Sequence, residues 1–343
     1  MSSEKKDPST PDTDVKSNVD RRTFVAAGAA GLAGSLVAGL GAPLAVARTS
    51  ASGKQAGGAG TTTMAHGQSA AGIIPDAEPT TFTEVLAKIN ASDAFFEALA
   101  QQPDKTPIIN LNFISCRPRG NMTQYEAYGA VAGKEINGVG GSIAGYAVGI
   151  TDADPDYRLS DKWDVVDLPV YPRRASYLQL QQSSAYQLAI QDRVGGTYER
   201  LLYVLSDDTE NTPFFDGTTS IAALHKSKKA LPVKNAYPAK DCEVWLYELL
   251  SFKKANGRDA FHRYAKAFQP IVEKAGGKVW MSVRAEMPIV SEKFWDHFLI
   301  TQYPTLQAFE NMFQSDAWQE ANHDRLQAID ETLTVAAQPV NMS

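Results

Sequence analysis

Three side chains in the later part of the sequence have the chemistry of an acid–base site. Glu248 offers a carboxylate, His297 an imidazole, and Arg284 a guanidinium that could hold an anionic substrate. The first two lie in apolar runs typical of strands. If those strands are neighbours, the two groups face one cavity and tune each other's pKa, as general acid–base catalysis requires. The alternative is structural: Glu248 accepts from a backbone or helix donor, or pairs with Arg284.

Further residues are predicted to contact the substrate: Asn112, Trp280 and Tyr264. In the alternative, the aromatic side chains belong to the core only. His262 and His323 lie among polar residues of predicted helices, which is typical of surface histidines. No set of His, Cys and Asp has the spacing of metal ligands, so we expect no metal. No glycine-rich phosphate loop joins a strand to a helix.

The positions of these residues follow from an internal repeat. The segment 110–116 has a counterpart at 246–252, which lies 136 positions later. After a length difference of four residues the offset becomes 132, and more identities appear: Trp163-Asp164 with Trp295-Asp296, Gln182-Ser183 with Gln314-Ser315, and Asp192-Arg193 with Asp324-Arg325. A copy of roughly a hundred residues is a common module size. We therefore expect a duplicated domain.

Both copies predict the element order βαββαβ, which is the ferredoxin-like unit. In the first copy we expect strands at 108–116, 142–150, 163–171 and 201–205, and helices at 122–136 and 175–194. The second copy has strands at 243–252, 278–285, 294–303 and 332–336, and helices at 259–274 and 305–328. Such a sheet carries helices on one face only, so two copies would bury the other face against each other. The predicted class is α+β, with repeats at 107–206 and 242–338 and a linker at 207–241.

The two copies differ in ways that favour one of them as the host of a site. His262, His297 and His323 are in the second copy, where the first has Glu126, Val165 and Gln191. Arg284 stands opposite Val148, and Glu248 opposite Asn112. These differences predict that a single active site lies in the second copy.

The repeated motifs resemble a known superfamily. They are Asn/Glu-Leu-Leu-x-Phe in the first strand, Tyr/Phe-x-x-Tyr in the first helix, a glycine pair, Tyr-Pro after the third strand and Ser-x-Ala-Tyr/Trp-Gln before an arginine. This pattern looks like the dimeric α/β-barrel superfamily, closest to uncharacterised domains related to the NIPSNAP and EthD families. The resemblance covers about 100–206 and 242–338 and implies that two halves form the barrel that relatives build from two chains. Those relatives include cofactor-free oxygenases, isomerases and haem enzymes, so it implies no single activity.

The first 47 residues resemble a twin-arginine signal peptide. Arg21-Arg22 precede Phe24 and an uncharged run, which ends in the small residues Ala45-Val46-Ala47. A membrane anchor is the alternative, which the many glycines and few large apolar side chains disfavour. Residues 48–74 predict a flexible tether, and 75–106 a helical extension. We expect a periplasmic or extracellular protein without a stable membrane anchor after cleavage.

Composition excludes some classes of partner. The 343 residues carry a net charge of −6 without a basic stripe, which argues against nucleic acid. Two cysteines are too few for a disulfide framework, and two buried thiols are favoured over one bridge.

The hypotheses on function differ in cofactor. The first is that the barrel binds a small apolar or aromatic molecule without a cofactor, with isomerase or cofactor-free oxygenase chemistry. The second is a non-catalytic binding or interaction module. The third is a haem-binding, peroxidase-like protein, because 213–217 resembles the Gly-x-x-Asp-Gly signature of dye-decolorising peroxidases, with Pro213 in place of the first glycine. The oligomeric state is left open between a monomer and a homo-oligomer.

Overall fold

The structure is a computed structural model that describes residues 89–117, 120–150, 159–239, 241–291 and 293–342. The predicted signal peptide, the tether and the start of the helical extension lie outside the described residues.

The described part of the chain holds eight strands and eight helices. The strands are β1 (Ile108–Cys116), β2 (Ser142–Gly149), β3 (Val165–Tyr171), β4 (Thr197–Ser206), β5 (Val244–Phe252), β6 (Lys278–Val290), β7 (His297–Tyr303) and β8 (Ile329–Pro339). The helices are α1 (Asp93–Ala100), α2 (Thr123–Gly138), α3 (Arg174–Gln181), α4 (Ser184–Gly196), α5 (Ile221–Ser227), α6 (Gly257–Lys274), α7 (Leu306–Phe313) and α8 (Asp316–Ala328).

The eight strands form one closed, antiparallel barrel in the order β1-β3-β2-β8-β5-β7-β6-β4. Within it, the first half contributes β4-β1-β3-β2 and the second half contributes β8-β5-β7-β6, which is the same order. The pairs β2–β8 and β4–β6 join the two halves. The predicted combination of helices with an antiparallel sheet is confirmed, and closure leaves no strand edge unpaired.

Strand alternation separates two kinds of core. Ile109, Leu111 and Phe113 of β1 belong to the cluster inside the barrel, together with Trp245 and Tyr247 of β5. Burial of each such side chain contributes about 1.5–3 kcal/mol. Because side chains fill the barrel, it is a packed core. The intervening residues of each strand face the layer between sheet and helices, one layer for each half.

The predicted long second helix of each copy is two helices in the structure. The first copy breaks between α3 and α4, where the Ser183 side chain accepts a hydrogen bond from the Tyr186 backbone N–H. The second copy breaks between α7 and α8, where Ser315 caps the next helix in the same way. The serine of the repeated Gln-Ser pair is therefore an N-cap, which satisfies a backbone donor that the helix itself leaves free.

Strand β6 runs five residues beyond the predicted end at Ala285. Its continuation crosses to the first half, where Glu286 forms an ion pair with Arg174 and Ile289 enters the core of the helix layer. The extension explains how β4 finds a partner in the other half.

No helix among the described residues is both long and apolar enough to cross a membrane. Cys116 and Cys242 are both buried and unbridged.

Candidate functional site

A cavity of about 260 Å³ lies in the first half, between its sheet and helix α2. Its walls come from β1, β2, β3, β4 and the helices α2, α3 and α4. They are mostly aromatic or small: Tyr125, Tyr128, Gly129, Ala132, Gly133, Ile136, Ile143, Tyr146, Pro169, Tyr171, Tyr177, Tyr186 and Leu202. The sheet adds the polar side chains of Asn110, Asn112, Asp167 and Arg200, and Glu126 of α2 and Met342 beyond β8 complete the lining. A cavity of about 150 Å³ engineered in another protein binds benzene, so this volume accommodates one or two rings.

Small residues on α2 leave this space open. An added Cβ at Gly129 or Gly133 would meet no atom within 4 Å. The positions 136 residues later are Ala265 and Gln269, and Ala132 corresponds to Phe268. Phe268 is buried in the second half and stacks on Tyr264 with ring centroids 4.9 Å apart. The same helix face is therefore filled in one half and hollow in the other.

A hydrogen-bonded pair lies at the sheet side of the cavity. The Tyr125 hydroxyl donates to Oδ2 of Asp167 over 2.6 Å. The other carboxylate oxygen, Oδ1, is buried and has no hydrogen-bond partner among the described residues. Asp167 lies opposite Asn112 in the β1–β3 register. An acceptor oxygen that lines a cavity without a partner is available to a ligand.

The carboxyl group of Asp167 has a perturbed pKa. Burial raises the pKa to about 6, and the Tyr125 hydrogen bond, the Arg200 charge and the neighbouring Asn112 amide oppose the rise without cancelling it. A group that changes protonation near pH 6 exchanges protons readily near neutral pH, which suits a general acid or base.

Two buried arginines support this side of the cavity. Arg200 donates through Nη2 to Oδ1 of Asn112 over 2.5 Å and through Nη1 to the Ile89 carbonyl over 2.9 Å. Arg193 donates to the hydroxyls of Tyr186 and Tyr128 over 3.2 and 3.4 Å. Those hydroxyls lie 2.8 Å apart.

The same arginines act on the ionisation of Tyr186. Burial opposes loss of its proton, but Arg193, Arg200 and the hydrogen bond with Tyr128 outweigh burial, so the pKa of Tyr186 lies below its usual value. The cavity thus combines an apolar body with a hydrogen-bonding, positively charged end.

Two of the predicted catalytic residues, Glu248 and His297, are buried in the second half, away from this cavity. Oε1 of Glu248 lies 3.6 Å from Nη2 of Arg325 and accepts a hydrogen bond from the Thr334 hydroxyl over 3.4 Å. Burial raises the Glu248 pKa, although Arg325 and Thr334 oppose the rise. His297 is 1% exposed, and its Nε2 lies 2.8 Å from the Ser282 hydroxyl. Burial, with the nearby Arg258 charge, lowers the His297 pKa to about 3.

Glu248 and His297 lie on the same side of the sheet, but each has its own partners. Trp295, two residues before His297, precedes β7 and belongs to the cluster inside the barrel, so the two side chains lie on different sides of the sheet. Arg284 is exposed on β6, in register with His297. The catalytic roles of Glu248, His297 and Arg284 stay predictions.

The predicted substrate contacts are dispersed. Asn112 lines the cavity. Trp280 lies at an irregularity of β6 and stacks on Trp245 at 6.2 Å, against the barrel interior. Tyr264 is buried in the second helix layer. Only Asn112 of these three therefore reaches the cavity.

The linker closes the second helix layer. Phe214 packs on His297 and Phe261, with centroid distances of 4.9 and 4.7 Å, and Arg258 covers its ring at 4.6 Å. Phe215 is buried beside Phe268. The two phenylalanines of the peroxidase-like motif are thus core residues. A site in the second copy stays a prediction, and the cavity lies in the first copy.

Comparison of the two copies held the signal for the missed residues. Asp167 corresponds to Leu299, Tyr125 to Phe261 and Arg200 to Thr332. Each polar member belongs to the first copy, whereas the histidines that set the copies apart belong to the second.

Haem finds no support in this cavity. Its lining contains no histidine or cysteine to bind iron. A tyrosine would bind as a phenolate, and burial raises the pKa of Tyr125 and Tyr128. Tyr186 has a lowered pKa, but Tyr128 and Arg193 engage its hydroxyl, and even drug-sized ligands occupy about 300–1,000 Å³. Elsewhere among the described residues, no group of three His, Cys, Asp or Glu side chains is placed to hold a metal ion.

Comparison with known families and proteins gives one match by sequence. Residues 247–338 match the family model described as Domain of unknown function (DUF1330). This segment covers most of the second half, from β5 to β8. No curated protein sequence matches the chain.

Solved structures similar to this chain have low sequence identity. An anthrone oxidase-like protein is 12% identical over 69% of this chain and 92% of its own, with a TM-score of 0.43. A mutant chlorite dismutase from Candidatus Nitrospira defluvii is 12% identical over 71% and 94%, with a TM-score of 0.37. A haem-binding protein from Thermus thermophilus is 12% identical over 70% and 94%, with a TM-score of 0.34. At these scores the likenesses assign no activity to this chain.

Proposed function

We propose that this protein binds a small, largely apolar aromatic molecule in the cavity of the first half and transfers a proton to or from it. The observation that carries the proposal is the hollow between α2 and the sheet, with the Tyr125–Asp167 pair at its polar side. Enclosed apolar pockets with a few convergent polar groups and a perturbed pKa are typical of ligand sites.

Asp167 is the proton acceptor in this proposal. Its Oδ1 takes a proton from the ligand, while Tyr125 holds Oδ2 and so fixes the carboxylate plane. Isomerisation through an enol and cofactor-free oxygenation both begin with removal of an acidic proton. That proton lies on the carbon next to a carbonyl or on a phenol hydroxyl. This proposal retains the predicted binding of a small aromatic molecule with acid–base chemistry. It assigns the proton transfer to Asp167 of the first half instead of Glu248 and His297.

Native mass spectrometry of the protein purified from its source tests the proposal. We expect a bound molecule with the mass of one or two substituted rings. The matched variant is Ala132→Phe, which copies the second half and fills the cavity. Loss of the molecule in that variant supports the site, and equal retention by both proteins would place the ligand elsewhere.

A variant of Asp167 distinguishes a non-catalytic binding module from an enzyme. The Asp167→Asn variant keeps the size of the side chain and removes the base. If the retained molecule is released unchanged by the parent protein as well as by this variant, the chain binds without turnover.

We also propose that duplication of one ferredoxin-like domain produced the two halves, with kinship to the NIPSNAP and EthD families. The offsets of 136 and 132 residues, which align β1 with β5 and β3 with β7, support it. The twin-arginine motif at Arg21-Arg22 supports export to the periplasm or beyond.

A further inference from the structure

The charges around the cavity do not balance in the way that those of the second half do. Arg193 and Arg200 are 5% and 6% exposed. Their hydrogen-bond partners in the described residues are neutral: the Asn90 and Asn112 amides, the Ile89 carbonyl and two tyrosine hydroxyls. The cavity wall carries two carboxylates: Glu126, which is exposed, and Asp167, which is buried and has its pKa raised by burial to about 6. Buried guanidinium groups are costly unless an anion compensates them.

The second half supplies that compensation internally. Arg325 corresponds to Arg193, and it pairs with Glu248 at 3.6 Å. Glu248 corresponds to Asn112, so the first half has a neutral amide at the position of this carboxylate. Thr332 corresponds to Arg200, so the first half also has one more cation. Asp167 stands at the position of Leu299, so from the second half to the first one carboxylate replaces another and one buried guanidinium is added.

We propose that the ligand of this cavity is an anion, a small aromatic carboxylate whose negative charge takes the place that Glu248 fills in the second half. The inference rests on the proposed function, because it names the ligand class of the same cavity.

A carboxylate suits the available donors better than a point-like anion does. Arg200 uses one N–H of each Nη for Asn112 and Ile89, and its Nε has no partner among the described residues. A guanidinium presents its donors as a planar fork, which matches the two oxygens of a carboxylate. The surrounding tyrosine rings supply flat apolar walls for the aromatic part.

The test compares two ligands of the same shape and different charge, 2-naphthoate and 2-naphthamide. Ligand-observed NMR at millimolar concentrations and pH 7.5 gives the Kd of each for the full chain. We expect the carboxylate to bind at least about tenfold more tightly, since charge-assisted hydrogen bonds are roughly twice as strong as neutral ones. Asn112→Asp, which places a carboxylate where the second half has one, should bring the ratio of the two Kd values towards one.

Arg200→Gln should also reduce the ratio of the two Kd values. If Arg200→Gln fails to fold, Asn112→Asp alone decides the test. The control is Arg263→Gln, which removes a guanidinium from the exposed pair with Asp324 and should leave the ratio unchanged. Equal binding of the two ligands to the parent protein, or a ratio that survives in Asn112→Asp, overturns the anion proposal while the cavity function stands. Binding of neither ligand overturns both.

Discussion

The Tyr125 hydroxyl lies 2.6 Å from Oδ2 of Asp167, on the wall of a cavity that the second half of the molecule does not share. At the equivalent positions that half has Phe261 and Leu299, both buried in its apolar layer. One half has therefore a polar pair beside a hollow where the other has continuous core.

The Asp167 carboxyl makes the stability of the protein depend on pH in an unusual direction. Its pKa is about 6 in the folded protein, above the ordinary value of 3.8, so the folded state binds more protons between these two values. The contribution of Asp167 to the free energy of unfolding is therefore highest below pH 4 and is lost as pH rises through 6.

Urea unfolding from pH 4 to pH 7 measures this effect against Asp167→Asn. We expect the parent protein to lose stability relative to the variant over that interval, and the difference to level off above pH 7. A difference that grows in the opposite direction would show that the carboxylate is stabilised in the fold.

Exchange of the residues at one helix position should have unequal consequences in the two halves. Phe268→Ala removes a buried ring that stacks on Tyr264 and should cost about 3–5 kcal/mol of unfolding free energy. Ala132→Phe adds a ring where the cavity is open and should cost much less. Equal losses in denaturant unfolding would mean that the first half is as tightly packed as the second.

Glu248 is expected to be a stabilising residue through Arg325. Glu248→Gln leaves the half-buried Arg325 guanidinium without its carboxylate and should lower the unfolding free energy by about 1–3 kcal/mol. Arg325→Met in the same chain should restore part of the loss. A Glu248→Gln protein of unchanged melting temperature that no longer binds or turns over ligand would instead support the predicted catalytic role.

Phe214 should control the ionisation of His297. Its ring lies 4.9 Å from the imidazole, whose pKa burial lowers to about 3. Phe214→Ala admits water, so the pKa of His297 should move up towards 6.5, as an NMR titration of the imidazole would record. His262, which also contacts Phe214 and is more exposed, serves as the comparison within the same spectra.

Export depends on the arginine pair if the sequence motif is functional. Replacement of Arg21-Arg22 by two lysines should leave the precursor in the cytoplasm, and cell fractionation with an antibody to the chain detects it. Normal export of the lysine variant would argue against the twin-arginine route.

Periodicity and the repeat were enough to predict the strands and the order of elements, because each strand alternates faces in both copies. The helix break at Ser183 was missed, since the serine interrupts an otherwise continuous helical pattern. The differences between the copies favoured the second half, whereas the cavity lies in the first, because an empty space depends on which side chains from other parts of the chain fill it. Phe214 comes from the linker, outside the repeat, and nothing in the strand carrying His297 indicates that it is covered.

Closure of the barrel within one polypeptide has a consequence for specialisation. Two identical subunits joined across the same seams would each carry the same helix face, so that every such pair has two hollows or none. Here the seams β2–β8 and β4–β6 join unlike halves. Substitutions in the helix layer of one half therefore leave the helix layer of the other half unchanged. The lining of the cavity can vary while the second half keeps its filled core.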